Sequence, residues 1–580
     1  MIDLLGRMNI EGLDTEQYIN NHRDDFGALP NIGIAVSGGG YRALLNGAGV
    51  VSAFDSRTEN STESGHLGGL LQSSTYLTGL SGGAWLVGSL YTNNFTSIET
   101  ILAQNTDAED SGSVWQFGNS IFEGPDEGGI QLFDSVGYYR SIANAVNAKA
   151  DAGFDTSVTD PWGRAISYQL VSATNGGPEF TFSSIAEQDW FTDGEAPMPF
   201  LIADGRAPGE TLISSNTTVF SFNPWELGSD DPTVYGWAPL RYVGTNYTAG
   251  EPTDEDECVT GFDNVGFIMG TSSSLFNQFL LRIDESGLSG TAGELLQSVI
   301  ERVLTGVSRD NNDISDYPNP FYHFNNATNY YSDSYRLTLV DGGEDLQNIP
   351  LHPLIQPYRE VDVIFAIDSS ADTSETLPAN SSAPNWPSGD SLIATYQRSL
   401  NPIQNGTSFP SIPDRNTFFN LGLNNGPTFF GCDAENSTNN GGQTPAPLIV
   451  YLPNGPYTFE SNFSTFDPSY NNSVRNAAIN NGYNLATQGN GTLDEQWPAC
   501  VGCAILSRSL YRTETQVPDV CTQCFERYCW DGTRDENEPE AYVPEIKLGE
   551  LDVTESGAGR VGGTVGLVGA AVVFTAVLVA

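Results

Sequence analysis

Basic residues are scarce in this sequence. Its 580 residues include only 23 Lys and Arg against 72 Asp and Glu, which gives a formal net charge of −49 at pH 7. Nucleic acids and anionic membrane surfaces would both repel such a chain. The composition therefore excludes nucleic-acid binding as the function, and it excludes attraction of membranes by a polybasic patch.

The N-terminus lacks the apolar run of a secretion signal. MIDLLGRMNIEGLDTEQYINNHRDD contains no apolar stretch of about 7 to 15 residues. Eleven N-x-S/T sequons nevertheless predict passage through the secretory pathway and N-glycosylation. We therefore expect an N-terminal segment with a signal peptide to be missing from this chain. The sequons begin at Asn60, Asn94, Asn216, Asn246, Asn326, Asn380, Asn405, Asn436, Asn462, Asn471 and Asn490.

A long apolar run occurs at the C-terminus. An acidic stretch over 535–555 is followed by small residues at 556–559 and then by the charge-free tail VGGTVGLVGAAVVFTAVLVA. This order predicts an acidic linker followed by a GPI-attachment signal at 556–580. A tail-anchoring transmembrane helix is the alternative, since about 20 apolar residues can span a bilayer. The expected location is the cell surface, either GPI-anchored at the plasma membrane or cell wall, or secreted.

The seven cysteines allow two interpretations. Cys500 and Cys503, followed by Cys521 and Cys524, have the spacing of a four-thiolate zinc site. The sequons and the tail indicate an oxidising compartment, where disulfides are the better interpretation. An eighth cysteine in a missing N-terminal segment would then account for the odd number.

Short apolar runs that end near Gly or Asp alternate with helix-like stretches, among them SIANAVNAKA, SLFNQFLLRI and AGELLQSVIERVL. Such runs are typical of buried strands, and the alternation predicts a layered α/β fold. Ligands gather at the carboxyl ends of strands in such sheets. The runs are NIGIAVSGGG (31–40), PFLIADGR (199–206), TVFSFNPWELG (218–228), RLTLVDGG (336–343), VIFAIDSSAD (363–372) and LIVYLPN (448–454).

A glycine-rich turn follows the first of these runs. A buried strand that leads into Gly38, Gly39 and Gly40 and then into a helix presents free backbone N–H groups, which suit an oxyanion or a phosphate. Arg42 would lie just inside that helix as a fixed positive charge. A turn required only for tight packing of strand against helix is the structural alternative.

Residues 78–85 read TGLSGGAW and satisfy the G-x-S-x-G pattern of serine hydrolases. A glycine-rich chain meets this pattern easily by chance, so its context matters more. YLTGL is typical of a strand and SGGAWLVGSLY of a helix, which places Ser81 in a strand-to-helix turn. We predict that Ser81 is a nucleophile and that Gly82 adjoins the substrate.

Two kinds of base could take the proton of Ser81. Asp341 ends a buried run and precedes two glycines. Histidine is rare, with four in the chain, and only His323 and His352 follow Ser81 as an α/β-hydrolase triad requires. An aspartate, with a reference pKa near 3.9, must be desolvated to act as a base, and it would let activity persist at about pH 4 to 5.

Six motifs together resemble the fungal phospholipase B (lysophospholipase) family, whose catalytic domain is similar to that of cytosolic phospholipase A2 and more distantly to patatin. The resemblance implies an α/β catalytic domain over 1–534, a layered αβα structure with a central mixed, mainly parallel sheet. The motifs are SGGGYRALLNGAG, GLSGGAWLVGSLY, FNPWELG, GTSSSLFNQ, LVDGGEDLQNIPLHPLI and DVIFAIDSSAD.

The resemblance also implies the roles of the site residues. Ser81 and Asp341 would form a catalytic dyad, Arg42 would be the essential arginine, and the amides of Gly39 and Gly40 would form the oxyanion hole. No metal and no cofactor are expected. Arg42 would hold the lipid phosphate or steady the developing charge.

The expected reaction is hydrolysis of the fatty-acyl esters of phospholipids and lysophospholipids at a membrane or lipid interface, with transacylation possible. Apolar residues around the pocket mouth and the GPI anchor would supply membrane contact. Two alternatives stay open. One is a hydrolase of neutral-lipid carboxyl esters, and the other is a non-catalytic, GPI-anchored cell-wall protein that has kept a hydrolase fold.

Overall fold

The computed structural model describes residues 1–551 except 26, 104–113, 123, 125–130, 208–209, 211, 254–257, 278–313, 374–384 and 436–444. The helices are α1 Ile2–Arg7, α2 Thr15–His22, α3 Tyr41–Phe54, α4 Leu70–Ser73, α5 Gly82–Thr92, α6 Ile98–Ala103, α7 Gln131–Asp151, α8 Thr159–Leu170, α9 Asp189–Thr192, α10 Val265–Ser272, α11 Asp390–Ser399, α12 Arg415–Asn420, α13 Asn472–Thr487, α14 Trp497–Arg512 and α15 Asp519–Tyr528. The strands are β1 Ile32–Val36, β2 Tyr76–Gly79, β3 Met198–Gly205, β4 Val219–Phe222, β5 Glu226–Ser229, β6 Gly236–Pro239, β7 Tyr247–Thr248, β8 Glu251–Pro252, β9 Ser315–Pro318, β10 Arg336–Asp341, β11 Val363–Asp368, β12 Thr428–Phe430 and β13 Leu448–Pro453.

The main sheet has a parallel centre and antiparallel edges. Strands β13, β11, β1, β2 and β3 pair in that order and are all parallel. β12 joins one side antiparallel to β13, and β4, β5 and β6 continue the other side as an antiparallel meander. β10 pairs antiparallel with β3 and with β9. The predicted mixed, mainly parallel sheet is confirmed.

The central strands are buried on both faces because their side chains alternate between two cores. In β11, Phe365 and Ile367 belong to the larger core, whereas Ile364 and Ala366 belong to the smaller one. The larger core is covered by helices that include α3 and α13, and the smaller by α11 and α12. This alternation has the strand period of two and produces the αβα layers that the sequence predicts.

The order of partners along β3 decides where the site forms. β2 pairs with β3 only as far as Gly79, which lies opposite Leu201. β10 then takes its place on the same side of β3, with Asp341 opposite Ala203. The end of β2 and the end of β10 therefore lie next to each other beside β3, because their partners in β3 are only two residues apart.

Most of the predicted strands are confirmed, and one differs. The run at 218–228 forms β4 and β5 rather than one strand, because Asn223 and Glu226 close a hairpin around Pro224 and Trp225. Proline cannot donate to a sheet ladder, which favours the break. SIANAVNAKA lies in α7. SLFNQFLLRI contributes a 3₁₀ turn at Ser274–Phe276 that is followed by Asn277, and the rest of this stretch lies outside the described residues, as does AGELLQSVIERVL.

Disulfides link the cysteines that had the spacing of a zinc site. Cys500 is bonded to Cys524 and Cys503 to Cys521, and both bridges join α14 to α15. Cys432 and Cys529 form a further bridge. Cys258 is exposed and free. The disulfide interpretation is therefore confirmed, and the zinc interpretation is wrong for these residues.

The predicted acidic linker runs over the domain surface as far as the structure describes it. The N–H groups of Lys547 and Leu548 donate to the carbonyls of Pro456 and Tyr457 at 3.1 and 2.9 Å. The predicted GPI signal at 556–580 lies outside the described residues. Within the described part of the chain, none of the helices has the length and apolarity that crossing a bilayer demands.

Candidate active site

Ser81 lies in a sharp turn between β2 and α5. Its φ of 51° and ψ of −118° are unusual for a residue other than glycine, and such values store strain at functional turns. The turn packs directly on the glycine-rich loop, because a Cβ atom at Gly82 would lie 2.0 Å from the carbonyl oxygen of Gly40. Only glycine fits there, so the strand-to-helix turn predicted for Ser81 is present and depends on this close approach.

Ser272, at the end of α10, holds this turn in place. Its Oγ accepts the backbone N–H of Ser81 at 3.0 Å and donates to the carbonyl of Ile202 in β3 at 2.6 Å. The motif GTSSSLFNQ contains three consecutive serines, and sequence alone does not show which of them reaches Ser81. That depends on how α10 packs on β3.

Asp341 adjoins Ser81, and no cation in the described part of the chain acts on the pKa of its carboxyl group. Both residues are about 95 % buried, with exposures of 4 % and 5 %. Oδ1 of Asp341 accepts the N–H of Gly343 at 3.0 Å, while Oδ2 has no regular hydrogen bond among the described residues. Burial raises the pKa of Asp341 to about 7, although the N–H groups of Gly343 and Leu275 and the Ser81 hydroxyl each act to lower it.

The elevated pKa of Asp341 gives it the strength of a general base. A carboxylate that is desolvated and has no paired cation holds a proton more tightly than one in water. Asp341 is buried, and no cation of the described residues is among the causes that shift its pKa. The structure therefore buries Asp341 as an aspartate base requires.

The glycine-rich loop presents two free amides beside Ser81. Gly39 and Gly40 have φ values of 137° and 61°, and within the described part of the chain their N–H groups have no protein acceptor. Gly38 differs, because its N–H donates to the carbonyl of Asn348 at 3.0 Å. Gly38 therefore shapes the site, since a Cβ there would lie 3.1 Å from that of Ser81, and its amide is not available to an oxyanion.

Asn348 ties the glycine-rich loop to the turn after Asp341. Its side-chain amide donates to the carbonyl of Gly38 at 3.2 Å and to Oγ of Ser370 at 2.7 Å. Its Oδ1 lies 2.9 Å from the position that a Cβ of Gly343 would take. The side chain thus fixes the spacing between the oxyanion loop and the base, a role that its position in LVDGGEDLQNIP could not show.

Arg42 is fully enclosed by protein acceptors. Nε donates to the carbonyl of Ser369 at 2.8 Å, Nη1 to the carbonyl of Phe463 at 2.5 Å, and Nη2 to Oγ1 of Thr465 at 3.1 Å. The side chain is 1 % exposed, and burial lowers its pKa to about 10.

The guanidinium of Arg42 also lies under the oxyanion loop, because a Cβ at Gly39 would be 2.7 Å from Nη2. A Cβ at Gly40 would be 2.4 Å from the carbonyl of Thr465. Arg42 thus anchors the segment around Phe463 and Thr465, which packs on Gly40. Its positive charge also lies directly against the oxyanion loop at Gly39. These contacts fit the role of steadying charge better than that of holding a lipid phosphate.

The rings of both candidate histidines contact residues other than Ser81. Nε2 of His352 lies 3.2 Å from Oδ1 of Asp231, a carboxylate that also accepts Nη2 of Arg398 at 2.8 Å. His323 is exposed and stacks on the ring of Tyr322 with the centroids 3.8 Å apart. His352 belongs to a buried ion-pair network, so the geometry favours Asp341 as the base.

The model of the lysophospholipase catalytic domain family matches residues 32–535. The chain belongs to this family. Lysophospholipase 1 of Aspergillus fumigatus is 57 % identical over 579 residues, which cover 99 % of this chain and 87 % of that protein. A lysophospholipase of Penicillium chrysogenum is 54 % identical over 551 residues, covering 94 % and 86 % of the two chains. The resemblance to fungal lysophospholipases is therefore confirmed.

The family fold is also seen in solved structures. Human GIVD cytosolic phospholipase A2 superposes with a TM-score of 0.59 at 16 % sequence identity, covering 86 % of this chain and 65 % of the human one. The same human protein in complex with methyl γ-linolenyl fluorophosphonate gives a TM-score of 0.52 at 15 % identity, covering 86 % and 64 %. At these identities the likeness establishes the fold, which is the one that the sequence resemblance implied.

Proposed function

We propose that this lysophospholipase-family enzyme hydrolyses fatty-acyl esters of phospholipids and lysophospholipids through Ser81 and Asp341. The observation that carries the mechanism is that these two buried side chains meet beside β3, where β2 ends and where the last residue of β10 pairs with β3. The site combines a nucleophile, a base and oxyanion donors. The nucleophile is a serine with a strained backbone, the base is a carboxylate with no paired cation among the described residues, and the donors are two free glycine amides.

The first chemical step forms an acyl-enzyme. Oγ of Ser81 attacks the ester carbonyl while Asp341 accepts the hydroxyl proton, for which its pKa of about 7 is suited. The negative oxygen of the tetrahedral intermediate is stabilised by the amides of Gly39 and Gly40, at about 3 kcal/mol per donor in serine hydrolases. When the intermediate collapses, Asp341 returns the proton to the departing glyceryl oxygen.

The second step releases the fatty acid. Water attacks the acyl carbonyl and gives its proton to Asp341, and collapse of the second intermediate returns that proton to Oγ of Ser81. A lysophospholipid hydroxyl can replace water in the same geometry, which yields a diacyl phospholipid and accounts for transacylation. The positive charge of Arg42 beneath Gly39 favours both anionic intermediates.

The cellular setting is part of the same proposal. Of the nine sequon asparagines that the structure describes, eight are exposed and Asn462 is partly buried, so glycans would meet no packing obstacle at most of them. Three disulfides fit an oxidising compartment. We propose a glycosylated enzyme at the cell surface, held by a GPI anchor or secreted, that meets lipid through apolar groups such as Phe466, which is 45 % exposed and contacts Phe276.

Labelling with a fluorophosphonate tests the mechanism. The native protein should become covalently modified at Ser81 and lose activity in step, while Asp341→Asn should label far more slowly. Asp333→Asn is a control on a neighbouring exposed aspartate. Absence of labelling at Ser81 in active protein would refute the dyad.

Substrate comparison separates the proposed activity from its alternatives. We expect turnover of lysophosphatidylcholine and phosphatidylcholine and little turnover of triacylglycerol. Preferential turnover of triacylglycerol would indicate a neutral-lipid hydrolase. Failure to hydrolyse any of these esters, with Ser81 unreactive, would indicate the non-catalytic wall protein.

A further inference from the structure

An aromatic groove lies far from the catalytic residues. It has a volume of about 840 Å³ and is lined by side chains from β2, β3, the β4–β5 hairpin and β6. Trp225, Tyr235, Trp237 and Tyr358 line it and are unusually exposed for such large rings, at 53, 50, 36 and 56 %. A soluble protein rarely leaves several aromatic rings together in water unless they bind something. We call this region the aromatic groove.

The aromatic groove lies at the opposite end of the strands from the active site. Its wall includes Tyr76 and Met198, the first residues of β2 and β3. Ser81 follows the other end of β2, roughly 15 Å farther along the strand direction. A lipid whose ester lies at Ser81 therefore does not have its headgroup in the groove, and the groove is a separate site.

The rings of the aromatic groove are held rigidly. Trp225 is at the tip of the β4–β5 hairpin, where its backbone N–H donates to Oδ1 of Asn223 at 2.9 Å and its ring lies 5.3 Å from that of Phe191. Trp237 lies flat over β5, because a Cβ at Gly228 would be 2.1 Å from its Cδ1. Tyr235 meets Trp237 edge-on at 5.3 Å and keeps a φ of 40°, a backbone conformation that costs energy.

Polar groups stand between these rings. Glu226 is exposed at the start of β5, and Arg359 and Asn223 also line the groove. The guanidinium of Arg359 packs 4.7 Å from the ring centroid of Phe200, and its Nη2 lies 3.5 Å from Oδ2 of the buried Asp230. Nε of Arg359 is buried and has no hydrogen bond among the described residues. The groove thus offers flat apolar platforms together with hydrogen-bond donors and acceptors.

We propose that the aromatic groove binds a neutral oligosaccharide. A sugar ring has an apolar face of C–H groups that stacks on an indole, and a rim of hydroxyls that bond to carboxylate, amide and guanidinium groups. A neutral ligand also meets no repulsion from a chain whose net charge is −49.

The dimensions and charges disfavour other occupants. An isolated quaternary ammonium group would fill only a small part of 840 Å³ and would leave most of the aromatic surface uncovered. An anionic bilayer would be repelled by the acidic chain. The volume suits a ligand of several sugar rings, within the range of about 300 to 1,000 Å³ that is usual for binding clefts.

Calorimetric titration of the whole protein with hexasaccharides of glucose, N-acetylglucosamine and mannose tests this site. Glucose or N-acetylglucosamine oligomers would represent wall polymers, and mannose oligomers would represent N-glycans. We expect saturable binding of at least one, weakened roughly tenfold by Trp225→Ala and by Trp237→Ala. Tyr330→Ala, which removes a 73 % exposed ring outside the groove, should leave binding unchanged.

Turnover of a soluble short-chain ester reports whether each variant is folded, because the groove is remote from Ser81. Trp237→Phe serves if Trp237→Ala does not fold. The proposal is overturned if none of the hexasaccharides binds, or if both tryptophan variants bind as the native protein does. It is equally overturned if the variants lose binding to phosphatidylcholine vesicles or lose a dimer in sedimentation, with no effect on sugar binding.

Discussion

The backbone N–H of Ser81 donates to the side-chain oxygen of Ser272 at 3.0 Å. This bond joins the nucleophile turn to α10, and the same oxygen is bonded onward to the carbonyl of Ile202 at 2.6 Å. A turn with a φ of 51° needs such external support, because its own backbone conformation is unfavourable. Ser272 is therefore a positioning residue for the nucleophile.

Ser272→Ala should lower kcat about 10-fold or more and slow fluorophosphonate labelling in parallel, because the Ser81 turn loses its anchor and a buried N–H loses its acceptor. Ser274→Ala is the matched control, since Oγ of Ser274 is buried without a hydrogen bond among the described residues. Equal kinetics in the two variants would show that Ser272 does not position the nucleophile.

Asp341→Asn should abolish hydrolysis yet stabilise the fold at pH 8. The folded pKa of about 7 lies above the ordinary value near 4, so the folded state binds more protons and the native protein loses unfolding free energy as pH rises between these values. The amide removes this loss, so Asp341→Asn should gain on the order of 4 kcal/mol over the native protein at pH 8. Urea unfolding at pH 4 and pH 8 measures the effect, and a native protein without that pH dependence would contradict the assigned burial.

The pH profile of kcat/KM should fall on the acid side with a midpoint near pH 7. Asp341 must be ionised to accept a proton, and its pKa is about 7 because of burial. The sequence-based expectation is instead activity that persists at about pH 4 to 5, so the measured acid limb decides between the two predictions. A midpoint near 7 therefore does not by itself identify a histidine.

His352→Ala decides between the two bases. The acid limb should persist in this variant, while stability falls because Asp231 and Arg398 lose a buried partner. Disappearance of the limb, with the protein still folded, would instead identify His352 as the base.

Arg42→Lys should lower kcat about 10- to 100-fold for phospholipid and for a phosphate-free ester alike. A lysine ammonium cannot reproduce the three divergent hydrogen bonds to Ser369, Phe463 and Thr465. A loss confined to the phospholipid, and expressed in KM, would instead indicate that Arg42 holds the lipid phosphate. Arg508→Lys is the control for removing a buried arginine that bonds to carbonyls elsewhere, at Ala446 and Gly431.

Local patterns in the sequence were sufficient for much of the fold. The apolar runs correctly predict β1, β3, β10, β11 and β13, because a strand buried on both faces needs a continuous apolar stretch. They were insufficient at 218–228, where hairpin pairing across Pro224 divides one run into two strands. The helices expected beyond Asn277 lie outside the described residues.

The sequence by itself determined which groups are available for the reaction: a serine in a strand-to-helix turn, an aspartate at a strand end, a glycine-rich loop and an arginine just inside the helix that follows this loop. The tertiary structure alone decided how they act. β10 replaces β2 beside β3, which brings Asp341 to Ser81. Burial, with no cation of the described residues acting on it, makes Asp341 a base. Asn348 occupies the amide of Gly38, and three protein acceptors enclose Arg42. Strand pairing brings together residues that are hundreds of positions apart, and burial depends on all the elements that pack around a residue. A local sequence pattern therefore cannot specify either effect.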